Sequence, residues 1–215
     1  KRLIMDRIDW LKLELEKIEK QRQTQKKSRS DEFKVALIGY TNVGKSSIMN
    51  ALTGANVLVE NKLFATLDAT VRKIFLSKDH QILLSDTVGF IRKLPHQLVA
   101  SFKTTLTEAK DADLLLHIVD VSHPNYDEHI KTVKNVLQEL DSGEKPVLIV
   151  FNKVDLAESE GLLERALTNY PNSIFVSALK HIRLGQIKEQ LLAYIESQFH
   201  EVTFILNYQE SSIIN

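Results

Sequence analysis

The sequence predicts an α/β fold in which a mostly parallel six-stranded sheet has helices on both faces and one antiparallel edge strand. The main observation is that apolar, strand-like segments alternate with helical patterns from residue 33 to about residue 199. Strands that alternate with helices form parallel sheets covered on both faces. The apolar strands predicted in this way are residues 33–38, 82–85, 114–121, 147–151 and 174–177.

The sixth strand is predicted from a hairpin. Residues 71–77 alternate between apolar and polar side chains, and the turn-like segment Lys78-Asp-His80 separates them from strand 82–85. Because a connection this short joins antiparallel neighbours, the hairpin places an antiparallel strand at one edge of the sheet. The helical spacing between strands is seen, for example, at Leu98, Phe102, Leu106 and Ala109.

A long amphipathic helix is predicted ahead of the sheet, over residues 1 to about 29. Its apolar positions step by four and three residues, which makes a heptad seam that needs a partner helix. The stretch 20–30 is basic and has no acidic residue. It is either a solvated helix end, where cations favour the C-terminal dipole, or a phosphate-contacting arm for RNA. The seam consists of Ile4, Ile8, Leu11, Leu15 and Ile18.

Composition excludes several classes of protein. The 215 residues carry 28 basic and 28 acidic side chains, so no whole-chain attraction to nucleic acid or membranes is expected. The absence of cysteine excludes disulfides and thiolate zinc sites. No run of 18 apolar residues and no signal peptide are present. We therefore expect a cytoplasmic monomer without integral membrane contact.

The organisation of the chain is predicted to be tripartite. Residues 1–30 are a helical linker whose partner helix is missing, residues 31–200 are the α/β domain, and residues 201–215 start a truncated C-terminal domain. The sequence begins at Lys1 and stops within an apolar alternating stretch. We interpret it as a fragment of a longer protein.

The segment GYTNVGKS at residues 39–46 fits the phosphate-binding pattern G-x-x-x-x-G-K-[ST]. It follows a predicted strand and precedes a helical pattern at 47–52, which is the context that the motif requires. Its glycines allow backbone N–H groups to surround phosphate oxygens at the positive end of the new helix. Lys45 then reaches the β- and γ-phosphates, and Ser46 ligates Mg²⁺. The predicted nucleotide-binding residues of this loop are Asn42, Val43, Gly44, Lys45, Ser46 and Ser47.

A second motif, Asp86-Thr-Val-Gly89, follows a strand 40 residues after the phosphate loop. The Asp86 carboxylate can hold Mg²⁺ through water, and the Gly89 N–H can meet a γ-phosphate. Between the two motifs, either Thr66 or Thr70 can close over Mg²⁺ when a γ-phosphate is present, and we favour Thr66. We therefore predict Ser46, Thr66 and Asp86 as metal ligands, and Lys45, Thr66 and Gly89 as catalytic residues.

The motif Asn152-Lys-Val-Asp155 follows another strand and predicts guanine as the base. Guanine presents two N–H donors on one edge, and the Asp155 carboxylate can accept both. Asn152 can bond the base or tie the loops together, and the stem of Lys153 can cover the ring face. After the last strand, Ser177, Ala178 and Leu179 are expected to supply a backbone N–H to the guanine carbonyl.

On these motifs the chain resembles the HflX family of translational GTPases, which is related to the Obg group. The resemblance covers nearly all 215 residues and implies the P-loop GTPase fold over residues 31–200. It also implies Mg²⁺ as cofactor and adds Phe64 to the nucleotide-binding residues. The family usually has proline at the position of Ala69 and threonine or a similar residue at Val71. The segments that carry the resemblance are residues 39–46, 63–68, 86–91, 94–102 and 112–117.

The resemblance further implies a GTP-hydrolysing switch that binds the large ribosomal subunit and splits stalled or idle ribosomes under stress. Many GTPases place a water-orienting glutamine after the D-x-x-G glycine, whereas this chain has Phe90. We therefore expect slow intrinsic hydrolysis and external stimulation. Asn42 resembles an asparagine that holds K⁺ in potassium-activated GTPases, although it could equally serve an unusual loop dihedral.

Two other function classes stay open. The chain could be a nucleotide-gated binding module with negligible turnover, for which Phe90 is the best support. It could also be a GTPase that regulates a non-ribosomal RNA or membrane process, against which the 94–102 segment speaks.

Overall fold

The fold is a six-stranded mixed sheet, as the sequence predicts. The computed structural model describes residues 32–54, 70–87, 89, 107–139, 142–157 and 160–198. The strands lie in the order β2-β3-β1-β4-β5-β6. They are β1 (Phe33–Gly39), β2 (Thr70–Phe75), β3 (Gln81–Asp86), β4 (Leu114–Asp120), β5 (Val147–Asn152) and β6 (Ile174–Phe175).

All strand pairs are parallel except the hairpin β2–β3 at one edge, which confirms the predicted antiparallel strand. The hairpin turn is closed by Ser77, whose Oγ accepts the Asp79 and His80 N–H groups at 3.3 and 3.2 Å. The Leu76 N–H also donates to the His80 carbonyl at 2.9 Å. The hairpin turn therefore lies at the position that the sequence predicts.

The helices cover both faces of the sheet. They are α1 (Lys45–Thr53), α2 (Thr107–Asp111), α3 (Tyr126–Glu139), α4 (Glu160–Asn169) and α5 (Leu184–Gln198). Alternate residues of β1 divide between the faces, because strand side chains have a period of two. Val35 and Leu37 pack with α1 and α5, whereas Ala36 and Ile38 pack with α2 and α3. A further apolar cluster joins the end of β4 to α3 and α4 around Phe151.

Every strand differs from its predicted bounds by one or two residues, and helix α1 also begins earlier than predicted. Helix α1 starts at Lys45, two residues before the predicted 47, so the lysine belongs to the first helical turn. Strand β4 ends at Asp120 rather than residue 121. Strand β6 ends at Phe175 instead of reaching 177, because Ser177 and Ile182 exchange backbone hydrogen bonds and turn the chain out of the sheet.

Several predictions fall on other parts of the chain. The heptad helix and basic stretch of residues 1–30, the 63–68 segment, the 94–102 segment and residues 201–215 lie outside the described residues. The tripartite division therefore stays a prediction. Within the described ranges, no helix is long and apolar enough to cross a membrane.

Candidate nucleotide site

The phosphate loop connects the carboxyl end of β1 to the first turn of α1, as the motif requires. Gly39 and Gly44 both have positive φ, at 150° and 94°, which disfavours residues with a Cβ. A Cβ at Gly39 would overlap the Ile118 carbonyl oxygen, and one at Gly44 would overlap Asn152 Nδ2. Glycine is therefore needed at both positions, because neighbouring strands fill the space beside the loop.

Lys45 is 7% exposed and lies under the loop. Its Nζ donates to the carbonyls of Gly39 and Tyr40 at 3.4 and 3.1 Å. Burial lowers the pKa of Lys45 to about 8, and the nearby Asp86 carboxylate offsets part of this shift. A buried ammonium whose charge is so disfavoured gains stabilisation from any anion that enters the loop. The arrangement suits phosphate binding.

The two predicted metal ligands in the described part of the chain lie together. Ser46 Oγ, at the start of α1, donates to Asp86 Oδ2, at the end of β3, over 2.5 Å. A hydroxyl and a carboxylate that converge beside a phosphate loop match the oxygen ligands that Mg²⁺ prefers. No cluster of three or more His, Cys, Asp or Glu able to hold a metal occurs among the described residues. The Ser46 and Asp86 oxygens therefore fit Mg²⁺, which binds proteins through one or two oxygen ligands together with water and substrate phosphates.

The loop that follows β3 is anchored against β1. Thr87 is fully buried, and its Oγ1 donates to the Leu37 carbonyl at 2.6 Å. Two residues later the chain passes over the phosphate loop, because a Cβ placed on Gly89 would lie 2.8 Å from Thr41 Cα and 2.9 Å from Lys45 Nζ. Gly89 is thus brought to the Lys45 ammonium, where the sequence predicts a γ-phosphate contact.

Asn152 is the link between the phosphate loop and the loop after β6. It ends β5, is 2% exposed, and uses both polar atoms of its side chain within the protein. Nδ2 donates to the Val43 carbonyl at 2.8 Å, and Oδ1 accepts the Ala178 N–H at 3.0 Å. Of the two roles predicted for Asn152, these contacts correspond to tying the loops together.

Lys153 makes a second link to the phosphate loop. It adopts the left-handed conformation at φ 64°, and its Nζ donates to the Asn42 carbonyl at 2.7 Å. The same Nζ lies 2.7 Å from Asp120 Oδ2, at the end of β4. Sequence reasoning missed Asp120. The available signal was an acidic residue at the end of a buried strand, the position that identified Asp86.

Asp155 and the loop at 177–179 complete the predicted base site. Asp155 lies in the short 3-10 turn Val154–Leu156, and its Oδ1 is buried without a hydrogen-bond partner among the described residues. The Ser177 and Ala178 N–H groups donate to Ile182 and Asn152. The part of the chain described here holds no acceptor for the Leu179 N–H, which makes it the loop amide best suited to a base carbonyl.

The remaining predicted residues fall into two groups. Asn42 is exposed with φ 61°, Val43 is buried, and Ser47 lies in the first turn of α1. Phe64 and Thr66 lie outside the described residues. The competing Thr70 starts β2 and is the register partner of Asp86. The choice between the two threonines is therefore still a prediction.

One buried titratable side chain near the site was not predicted. His117 lies in β4, 4% exposed. Burial, together with the Lys45 charge, lowers the pKa of His117 to about 3. The imidazole is therefore neutral at physiological pH and adds no positive charge beside the phosphate loop.

Comparison with known proteins agrees with this geometry. The chain matches the family described as 50S ribosome-binding GTPase over residues 34–153. A GTPase HflX from Magnetococcus marinus is 53% identical over 195 residues, which are 90% of this chain and 44% of that protein. The chain spans about half the length of the curated relatives it matches.

Solved structures show the same fold. A GTP-binding protein from the archaeon Sulfolobus solfataricus, in complex with GDP, matches with a TM-score of 0.62 and 28% identity, over 87% of this chain and 61% of that one. NFeoB from S. thermophilus, bound to GDP·AlF4⁻ and K⁺, matches with a TM-score of 0.59 and 21% identity, over 84% and 69%. At that identity the second likeness concerns the fold alone.

The matched residues include the phosphate loop, the Ser46–Asp86 pair and the Asn152–Lys153 links, and they make up more than half of the chain. The chain therefore belongs to the family described as 50S ribosome-binding GTPase, and the curated relatives that it matches are GTPase HflX proteins.

Proposed function

We propose that this chain is a GTP-hydrolysing switch that associates with the large ribosomal subunit and acts in splitting or rescuing ribosomes under stress. The observation that carries the proposal is the convergence of three features on one edge of the sheet. They are the phosphate loop, the Ser46–Asp86 pair and the predicted base-binding segments 152–155 and 177–179, which together are called the base loop. In an open α/β sheet, ligands bind outside the carboxyl ends of the strands. The ribosomal part of the proposal is supported by the family match.

Guanine specificity in this proposal depends on Asp155. Its buried Oδ1 is an acceptor without a partner among the described residues. Leaving such a group unsatisfied costs about 1–3 kcal/mol, so a ligand that donates to it gains affinity. Guanine donates N1–H and the 2-amino group from one edge, whereas adenine has no such pair. In this proposal the Leu179 N–H donates to the guanine carbonyl.

Catalysis of phosphoryl transfer consists mainly of positioning and charge neutralisation. Lys45 and the loop amides bind the phosphate oxygens, and Ser46, Asp86 and Thr66 would hold Mg²⁺. When bound, Mg²⁺ neutralises developing negative charge on the phosphates. The Gly89 N–H, which lies beside Lys45, would contact the γ-phosphate. The hydrogen bond between Ser46 and Asp86 keeps both oxygen ligands in place before nucleotide enters.

The sequence provides no side chain directly after Gly89 that could orient the attacking water. Phe90 follows Gly89, and a phenyl ring makes no hydrogen bond to water. We infer slow intrinsic hydrolysis, with the missing group supplied by the ribosome or by K⁺ beside Asn42. Asn42 is exposed, which leaves its side chain accessible to an ion, although its φ of 61° also fits the alternative in which the asparagine serves an unusual loop dihedral. A K⁺ ion there would take the place of an arginine finger, which is worth about 10³–10⁵-fold.

The test is GTP turnover by the 215-residue chain in K⁺ buffer, with and without large ribosomal subunits. We expect slow turnover alone and at least about tenfold stimulation by the subunits. The matched control Lys45→Met should be inactive in both conditions, which assigns the turnover to this site. Replacing K⁺ by Na⁺ at equal ionic strength should lower the rate, and equal rates would remove the K⁺ site alone.

Two results would redirect the proposal. Tight GTP binding with no turnover in any condition favours the nucleotide-gated binding module. Turnover without subunit binding, measured by co-sedimentation with a GTP analogue, contradicts the ribosomal role of this chain. That second result favours a GTPase that acts on another RNA or at a membrane.

A further inference from the structure

We propose that Asp120 is a positioning residue of the nucleotide site, which sets Lys153 in place before the base binds. The inference rests on the guanine site proposed above and adds a residue that the sequence motifs do not contain. Asp120 is the last residue of β4 and the register partner of Asn152, the last residue of β5. Its backbone position beside the base loop is thus fixed by the sheet.

The Asp120 carboxylate is oriented by Ser122, which lies two residues further along the chain. Oδ1 accepts both the N–H and the hydroxyl of Ser122, at 3.1 and 2.6 Å. Because both contacts go to one oxygen, Oδ2 is directed away from Ser122 and pairs with Lys153 Nζ at 2.7 Å. The carboxylate therefore has a defined orientation before it meets the lysine.

Both the backbone and the ammonium group of Lys153 have defined positions in this arrangement. Its backbone has the left-handed φ of 64°, a conformation that residues other than glycine rarely adopt. Its Nζ contacts both Asp120 and the Asn42 carbonyl, at 2.7 Å each. The lysine stem consequently spans from the base loop to the phosphate loop.

The contact between Asp120 and Lys153 should raise nucleotide affinity because it orders the lysine before binding. A free lysine side chain loses rotamer entropy when it is fixed, and a side chain fixed beforehand does not lose it on binding. The Asp120 and Lys153 side chains are 14% and 24% exposed, so solvent screens the pair less than a surface ion pair. Asp120 touches no nucleotide atom in this scheme and acts through Lys153.

A double-mutant cycle tests this role, with GDP as the probe and the 215-residue chain as the protein. Asp120→Asn keeps an oxygen for Ser122 and removes the charge that attracts Lys153. We expect it to weaken GDP binding about five- to tenfold, mainly through faster dissociation. In a Lys153→Met background the same change should alter GDP affinity less than about twofold, because the group that it positions is gone.

The chain offers a matched control. Asp127 also pairs with a cation, Arg165, and accepts from Tyr170 Oη, but it lies on α3 away from the base loop. Asp127→Asn should therefore change GDP affinity less than about twofold. Ser122→Ala removes the hydroxyl that orients Asp120 but leaves the charge. It should weaken binding about threefold, again only when Lys153 is present.

The outcomes separate this inference from the site on which it rests. No GDP binding by the unchanged chain refutes the guanine site and the positioning role together. Normal binding that Asp120→Asn leaves within twofold refutes the positioning role alone. Equal weakening in the Lys153→Met background also refutes it, because Asp120 would then act on the fold rather than through the lysine. If Asp120→Asn does not fold, the same comparison with Ser122→Ala decides.

Discussion

Replacing Asn152 by alanine tests whether one buried amide holds the phosphate loop to the base loop. The side chain is 2% exposed and makes two contacts to backbone groups from distant parts of the chain. It donates to the Val43 carbonyl and accepts from the Ala178 N–H. Alanine removes both bonds at once and adds no new polar group.

The expected loss of stability follows from the groups left behind. A buried backbone donor or acceptor that loses its partner costs about 1–3 kcal/mol. The two groups that lose their partner are the Val43 carbonyl and the Ala178 N–H. Water that enters from the nucleotide side offsets part of the cost. We expect the free energy of unfolding to fall by about 2–4 kcal/mol. For a domain of this size that corresponds to a lower Tm by about 4–16 °C.

The assay is urea unfolding of the nucleotide-free chain, followed by circular dichroism. The midpoint should fall at an unchanged m value, because the surface exposed on unfolding is nearly the same. The matched control is Asn172→Ala, at an exposed asparagine in the turn before β6. That control should stay within about 0.5 kcal/mol of the unchanged chain.

The reasoning fails if Asn152→Ala is as stable as the Asn172 control. Such a result would mean that the two loops keep their positions without the amide and that water replaces both bonds at no cost. A loss of GDP affinity without a loss of stability would also contradict it. In that case Asn152 would serve the bound base rather than the loops.

Two further predictions concern pH and base selection. The pKa of His117 is lowered to about 3 from 6.5, so the unfolded chain binds a proton that the folded chain does not between those values. Stability should fall as pH drops below about 6.5, with a slope approaching 1.4 kcal/mol per pH unit, and urea unfolding of His117→Leu should show that contribution removed. Asp155→Asn should weaken GTP binding and improve xanthosine triphosphate binding in competition assays, because xanthine has a carbonyl where guanine has its 2-amino group. Unchanged preference for GTP would show that Asp155 does not contact the base.

The sequence predicts the fold well because periodicity and motif spacing are local signals. The six strands, the hairpin edge and the phosphate loop all follow from residues close together in the chain. Strand β6 was predicted too long because residues 174–177 are uniformly apolar or small, and only the contact between Ser177 and Ile182 shows where the strand stops.

The cross-links within the site were harder to predict from the sequence than the fold, for a different reason. Asp120 has no motif of its own, and its role depends on the parallel register of β4 and β5, which aligns it with Asn152. The buried state of His117 likewise depends on helices covering both faces of the sheet. Such contacts join residues whose separation in sequence carries no pattern.

The phosphate loop and the base loop are better understood as one unit than as two motifs. Gly44 must lack a Cβ because Asn152 Nδ2 occupies that space, so the glycine of one motif exists to admit the asparagine of the other. Lys153 adds a parallel link to the Asn42 carbonyl, one residue before the Asn152 contact at Val43. Asn152 and Lys153, which are adjacent, thus donate to two adjacent carbonyls of the phosphate loop. We therefore expect base recognition and phosphate binding to be energetically coupled, because a shift of either loop strains both links.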